Sequence, residues 1–194
     1  MSERYLTCAL MTEGRSDALF LTEVVQRQLS ALSVASTPGF SAGPVVPVDV
    51  RTIAEAAFVR DELAELLKSY DVVLVHRDHR ESAKLDALRG LSAPRGRLVG
   101  LVPRAETEAW ALCDPLAFRA VRGADTTALP SKPREVERIG DPKRALADAL
   151  PGLDPMTLLN RIGRDVRLDR LRQIPAYSTW LDELTQALKE LHFL

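Results

Sequence analysis

Cysteine, aromatic residues, histidine and a net charge of either sign are all scarce in this chain, and each shortage removes a class of protein. The two cysteines among 194 residues, Cys8 and Cys113, lie in apolar segments without metal-like spacing, which argues against a disulfide scaffold and predicts two reduced core thiols. A formal net charge of −1 provides no global field toward nucleic acid or a membrane surface, so a polyanionic partner has to be met locally. No run of about 18 apolar residues is present, and the start MSERYL lacks a basic segment followed by an apolar one. A cytoplasmic protein without membrane attachment is therefore expected. Aromatic residues make up 5% of the chain, and Trp110, Phe118, Tyr177 and Trp180 stand at helical spacing among Leu and Ala, where core packing accounts for them better than base stacking.

What the chain does have is apolar patterning: 46% hydrophobic and 27% charged residues are the proportions of a packed globular domain. Tyr5 to Thr12 reads as a strand, followed by a helix with Phe20, Leu21, Val24, Val25, Leu29 and Leu32 in helical register and Ser16 as N-cap. The stretch SVASTPGFSAGP reads as a loop, Val45 to Val50 as a second strand, and Ile53 to Lys68 as a helix capped by Thr52. Val72 to Val75 is a continuous apolar run, expected of a central parallel strand covered on both faces. Ser82 to Arg89 reads as helix, Leu98 to Val102 as a fourth strand, and the chain turns helical near Glu106. Strands alternating with helices predict an α/β fold with a mostly parallel sheet of about four strands. From Gly123 onward, short proline-interrupted amphipathic pieces predict a helical extension, dividing the chain into 1–122 and 123–194. Between Lys132 and Arg172 basic residues only modestly outnumber acidic ones, which reads as an ordinary solvated helical surface.

Three strands run out into acids. Glu13 and Asp17 follow the first, Asp78 the third, and Glu106 and Glu108 the fourth. In a parallel sheet these positions share the carboxyl edge, where ligands bind. Like charges gathered there are unfavourable unless a proton or cation lies between them, and oxygen donors suit Mg²⁺ or Mn²⁺. Asp17 by itself reads equally well as a residue favoured by the helix dipole. Glu13 precedes a glycine that permits a tight turn, and of the pair Glu106 and Glu108 only one needs to face the site. His76 and His79 flank Asp78, but a zinc site would want more nitrogen or sulfur ligands than three histidines in the whole chain supply. Arg77, Arg80, Lys84 and Arg104 suit phosphate contact through charge-assisted hydrogen bonds.

The order Glu-Gly-x-x-Asp after the first strand, an acid ending a later apolar strand and an acid pair beyond the next resembles the Toprim fold of topoisomerases, bacterial primases and OLD-family nucleases. The segments EGRSDALFLTEV, VVLVHRDHRE, ETEAWALCDP, DPKRAL and AYSTWLDELTQAL resemble, more closely, a family of small standalone bacterial Toprim-like proteins of unassigned function, often encoded beside ATPases in defence islands. The resemblance implies Glu13 as metal-binding or general acid/base glutamate, Asp78 as the first acid of Asp-x-Asp, Asp17 as the second acid of the OLD-type Glu-x-x-x-Glu and Glu108 as the downstream metal ligand. Arg80 stands where the second aspartate of Asp-x-Asp belongs and would repel an ion there.

Two functions follow as expectations. One is a nuclease dependent on Mg or Mn, with Glu13, Asp78 and Glu108 catalytic, Asp17 and Glu106 completing the ligand set, and nucleic acid as substrate. The other is a catalytically inactive Toprim-like subunit that binds a partner ATPase. A receiver domain would want paired acids directly after the first strand, and a haloacid-dehalogenase phosphatase Asp-x-Asp there; neither pattern is present.

Overall fold

The computed structural model describes residues 4–37, 39–49, 56–77, 85, 88 and 97–194, with backbone alone at 49 and 56–59. Among them, β1 (Arg4–Thr12), β2 (Phe40–Asp49), β3 (Val72–His76) and β4 (Leu98–Leu101) form one all-parallel sheet in the order β2-β1-β3-β4. The chain thus adopts the expected α/β architecture. Helices α1 (Arg15–Ala35) and α2 (Ala56–Ser69) lie in the first two crossovers. After β4 come α3 (Thr107–Ala111), α4 (Pro142–Ala149), α5 (Pro155–Asp165), α6 (Leu168–Leu171) and α7 (Pro175–Glu190), with 3₁₀ turns at Pro115–Phe118 and Pro133–Arg138. The Thr52 cap and most of the helix expected from Ser82 to Arg89 lie outside the described residues; Leu85 and Leu88 are helical. No described helix is long and apolar enough to cross a membrane.

The period of two along each strand divides the core into two layers. Leu6, Cys8 and Leu10 of β1, Val72 and Leu74 of β3, and Val99 and Leu101 of β4 pack with α1 and the C-terminal helices. Their neighbours Ala9, Met11, Val73, Val75 and Leu98 pack with Leu63 and Leu66 of α2 and with Leu85 and Leu88. Because both faces are covered, the central strands need apolar residues at every position. Both cysteines are buried free thiols, and burial raises the Cys8 thiol to about 12. Trp110, Phe118, Tyr177 and Trp180 are core residues, and Tyr177 meets both indole rings edge-on.

Strand β2 starts at Phe40, inside the stretch that reads as a loop. Among the described strands it lies at the sheet edge, where Pro44 and Pro47 are tolerated because no described strand on the outer side needs their missing N–H. The register slips between Leu6 and Cys8 of β1, opposite Gly43 and Pro44. The Gln26 amide bridges this irregularity, donating to Gly43 O at 3.1 Å and accepting from Val45 N at 2.7 Å.

Three Asp-Pro pairs organise the C-terminal helices. Asp114, Asp141 and Asp154 each accept a backbone N–H as N-cap while the following proline occupies the first turn. Helix α5 lies close on α1: a Cβ at Gly163 would fall 2.7 Å from Phe20 O. Arg27 closes the end of α5 by donating to the carbonyls of Gly163 and Val166 at 2.9 and 2.5 Å. Fully buried Asp114 accepts from Arg167 Nε at 2.9 Å, Arg167 Nη2 at 3.1 Å and Arg167 N at 3.0 Å. Burial pushes this carboxyl up, but its hydrogen bonds to Arg167 and Leu116 outweigh that and hold it below the ordinary value.

Two stability measurements check this packing. Gly163→Ala destabilises by about 1–2 kcal/mol in urea unfolding, although alanine is the better helix former, because the overpacking at Phe20 outweighs propensity. Asp114→Asn costs about 2–3 kcal/mol at neutral pH. A lowered carboxyl contributes stability that is present above its ordinary pKa and lost as pH falls through the folded value, so the wild-type chain loses stability below about pH 4 and the variant shows a flatter acid limb.

Candidate functional site

The crossover from β1 to β2 runs one way along the sheet, and the next passes back over β1 to β3. The strand order therefore reverses between β1 and β3, and the carboxyl ends of the strands at such a switch point are the usual ligand position in sheets of this kind. Cys8 pairs with Val72 and Met11 with Val75. The same offset of 64 residues continues past both strand ends. At the amino end, Thr7 N and Oγ1 donate to Asp71 Oδ2 at 2.9 and 2.8 Å. At the carboxyl end, Arg77 Nη1 donates to Glu13 Oε1 at 2.6 Å. Arg77 is 1% exposed, and its N–H continues the ladder to Leu101 O at 3.1 Å.

A second group gathers around α1 and α3. Asp17, in the first turn of α1, has Oδ2 3.9 Å from His76 Nδ1, and His76 Nε2 lies 2.9 Å from Thr107 Oγ1. Glu106 caps α3, and Lys143 Nζ of α4 donates to its Oε1 at 3.0 Å. Glu108, one residue into α3, is 5% exposed, and among the described residues no cation lies within ion-pair reach of it. Its carboxyl is pushed up chiefly by burial, with further increases from the charges of Asp17 and Glu106; its own backbone N–H and Lys143 pull the other way. Lys143 is raised, first by its hydrogen bond to Glu106 and then, against desolvation, by the charges of Glu108, Glu106 and Asp17.

The expected residues thus fall into two sets at one sheet edge. Glu13 and Arg77 form one pair; Asp17, Glu106 and Glu108 form a cluster with His76, Thr107 and Lys143. Alternation along β1 and β3, continued one residue past their ends, turns Glu13 and Arg77 toward the α2 side and His76 toward the α1 side. Arg77, expected at phosphate, is buried against Glu13, and Arg104 is exposed on the loop before α3. Asp78, Arg80 and Lys84 lie outside the described residues. Helix α1 is capped by Gly14 rather than Ser16, with φ −128° and ψ 153°. That is extended backbone open to any residue, so what glycine provides is space: a Cβ there would lie 2.8 Å from Asp17 Oδ2.

The cluster's chemistry is that of hard oxygen donors. Among the described residues no three His, Cys, Asp or Glu side chains are grouped closely enough to enclose a metal ion. Mg²⁺ needs only one or two carboxylates and keeps waters for the rest of its shell; in this cluster Asp17 and Glu108 are close enough for the charge of one to act on the other. Lys143 and Thr107 escaped the sequence reading: Thr107 stands between Glu106 and Glu108 but carries no charge to mark it, and Lys143 lies far in sequence from every strand-end acid. The available signal was a cation in the first turn of a helix opened by Asp-Pro, against the helix dipole.

Comparison with known proteins gives no further constraint: no family model matches the chain, and no curated protein or solved structure matches it.

The Glu13–Arg77 pair is tested by a double-mutant cycle. Unfolding of Glu13→Gln, Arg77→Met and the double variant gives a coupling of about 1–3 kcal/mol; additive single effects would contradict the pair.

Proposed function

We propose that the protein is a phosphodiesterase of Toprim type, dependent on Mg²⁺ or Mn²⁺, that hydrolyses nucleic acid at the carboxyl edge of its sheet. The observation that carries this reading is Glu108, a nearly inaccessible carboxylate facing the charges of Asp17 and Glu106. Burial and like charge both make its ionised form costly, and a cation between it and Asp17 removes that cost. Asp17 and Glu108 would hold the ion, with Asp78, next in sequence to Arg77, as a further ligand by the Toprim resemblance. When bound, the ion supplies a water of lowered pKa and a countercharge for phosphate oxygens.

The chain's own residues do the rest. Arg77 fixes one oxygen of Glu13, so that the carboxylate is oriented by a buried group instead of rotating in solvent. Glu13 then exchanges a proton with the attacking water at a carboxylate oxygen. Thr107 holds His76 through Nε2, which keeps the ring beside Asp17. Arg104 meets the substrate backbone from the exposed loop.

One observation favours a second reading. The glutamate that Toprim chemistry requires already has a guanidinium on it, as expected of an inactive Toprim-like subunit that docks a partner ATPase. Cleavage assays on single- and double-stranded DNA and RNA with Mg²⁺, Mn²⁺ or EDTA separate the two. The nuclease reading gives metal-dependent cleavage that EDTA abolishes and that Glu108→Gln and Glu13→Gln each lower by about 100-fold or more, with both variants still folded. Equal rates in all three proteins, or no cleavage with any metal, would favour the partner-binding reading.

A further inference from the structure

Lys143 joins the acid cluster from a part of the chain outside the strand-and-loop framework. Its ammonium crosses 37 residues of sequence to reach Glu106, and its side chain remains 62% exposed. An exposed pair of this kind contributes little to stability. The position is unfavourable locally as well, because Lys143 and Arg144 occupy the first turn of α4, the positive end of its dipole. Arg144 is compensated within the helix by Asp148 at 2.9 Å. Lys143 instead faces Glu106, with Glu108 and Asp17 near enough to act on its charge. A residue that breaks a local rule without a stabilising return marks a functional position.

We propose that Lys143 is a substrate-contacting residue of this site, donating to a non-bridging phosphate oxygen of the bound nucleic acid, with Glu106 as its positioning residue. The proposal rests on the phosphodiesterase reading and extends it to the C-terminal helices. An ammonium carries three donors, and Glu106 uses one, so a phosphate oxygen and Glu106 can be held together. Lysine binds phosphate as a point charge and tolerates the varied approach angles of a polymer backbone. Placed beside acids suited to a cation, it completes the pairing of anionic and cationic halves that a phosphodiester substrate needs.

The test is fluorescence anisotropy of a labelled single-stranded DNA oligonucleotide titrated with the full chain in Mg²⁺ across a salt series. It compares wild type with Lys143→Met, Lys143→Arg and, as a control outside the site, Arg144→Met. Lys143→Met is expected to weaken binding about ten-fold and to reduce the slope of log K against log salt by about 0.7. Lys143→Arg should retain most of the affinity, and Arg144→Met should leave affinity and slope within about two-fold of wild type. Wild type that binds while Lys143→Met matches Arg144→Met in affinity and slope overturns the role of Lys143 and leaves the phosphodiesterase reading standing. Wild type that neither binds nor cleaves overturns both.

Discussion

The parallel register of β1 on β3 is the constraint on which the rest of the structure depends. One offset, maintained by the backbone ladder, sets Thr7 against Asp71 where the strands begin and Glu13 against Arg77 where they end. A slip of one residue would turn every side chain of a strand to the other face, breaking both pairs and exchanging the two apolar layers. Strand order places the reversal between β1 and β3, and the register fixes which side chains stand at that edge. Structure and candidate chemistry share one set of hydrogen bonds.

Charge balance at that edge then distinguishes the acids. Glu13 is met by a buried guanidinium and Glu106 by a partly exposed ammonium, so each has a resident countercharge. Glu108 is more deeply buried than either; its own backbone N–H and the more distant charge of Lys143 ease it, but among the described residues no cation pairs with it. Acids that serve only as caps resemble Asp141 and Asp154, which sit in solvent and accept the backbone N–H of their own helix. Glu108 differs from both in being buried without an ion-pair partner among the described residues, and this difference gives the metal proposal its physical content.

Much of this was legible in the sequence because it depends on local periodicity. The apolar runs of β1 and β3 announce central strands, and the acids after them announce the edge. What was hidden depends on partners distant in sequence. Phe40 to Pro44 looked like loop since Ser, Pro and Gly suit loops, yet an edge strand bridged by Gln26 accommodates them. Arg77 read as a phosphate contact because cations beside acids often are; that it turns inward to Glu13 follows only from strand register. The chain does turn from strand to helix within two residues at Glu13 and Gly14, but the Gly14 backbone is extended and open to any residue, and its bare Cα leaves room for the Asp17 carboxylate. For Lys143 the sequence offers only a cation set against the dipole of its own helix; that it reaches Glu106 follows from the packing of the C-terminal helices.

Calorimetric titration of the purified chain with Mn²⁺, repeated on Asp17→Asn and Glu108→Gln, tests the central claim most directly. The account predicts binding by the wild-type chain that weakens about ten-fold or more in each variant while the melting transition stays cooperative. Identical binding in all three proteins, or no binding heat from wild type, would contradict a cation site built on Asp17 and Glu108.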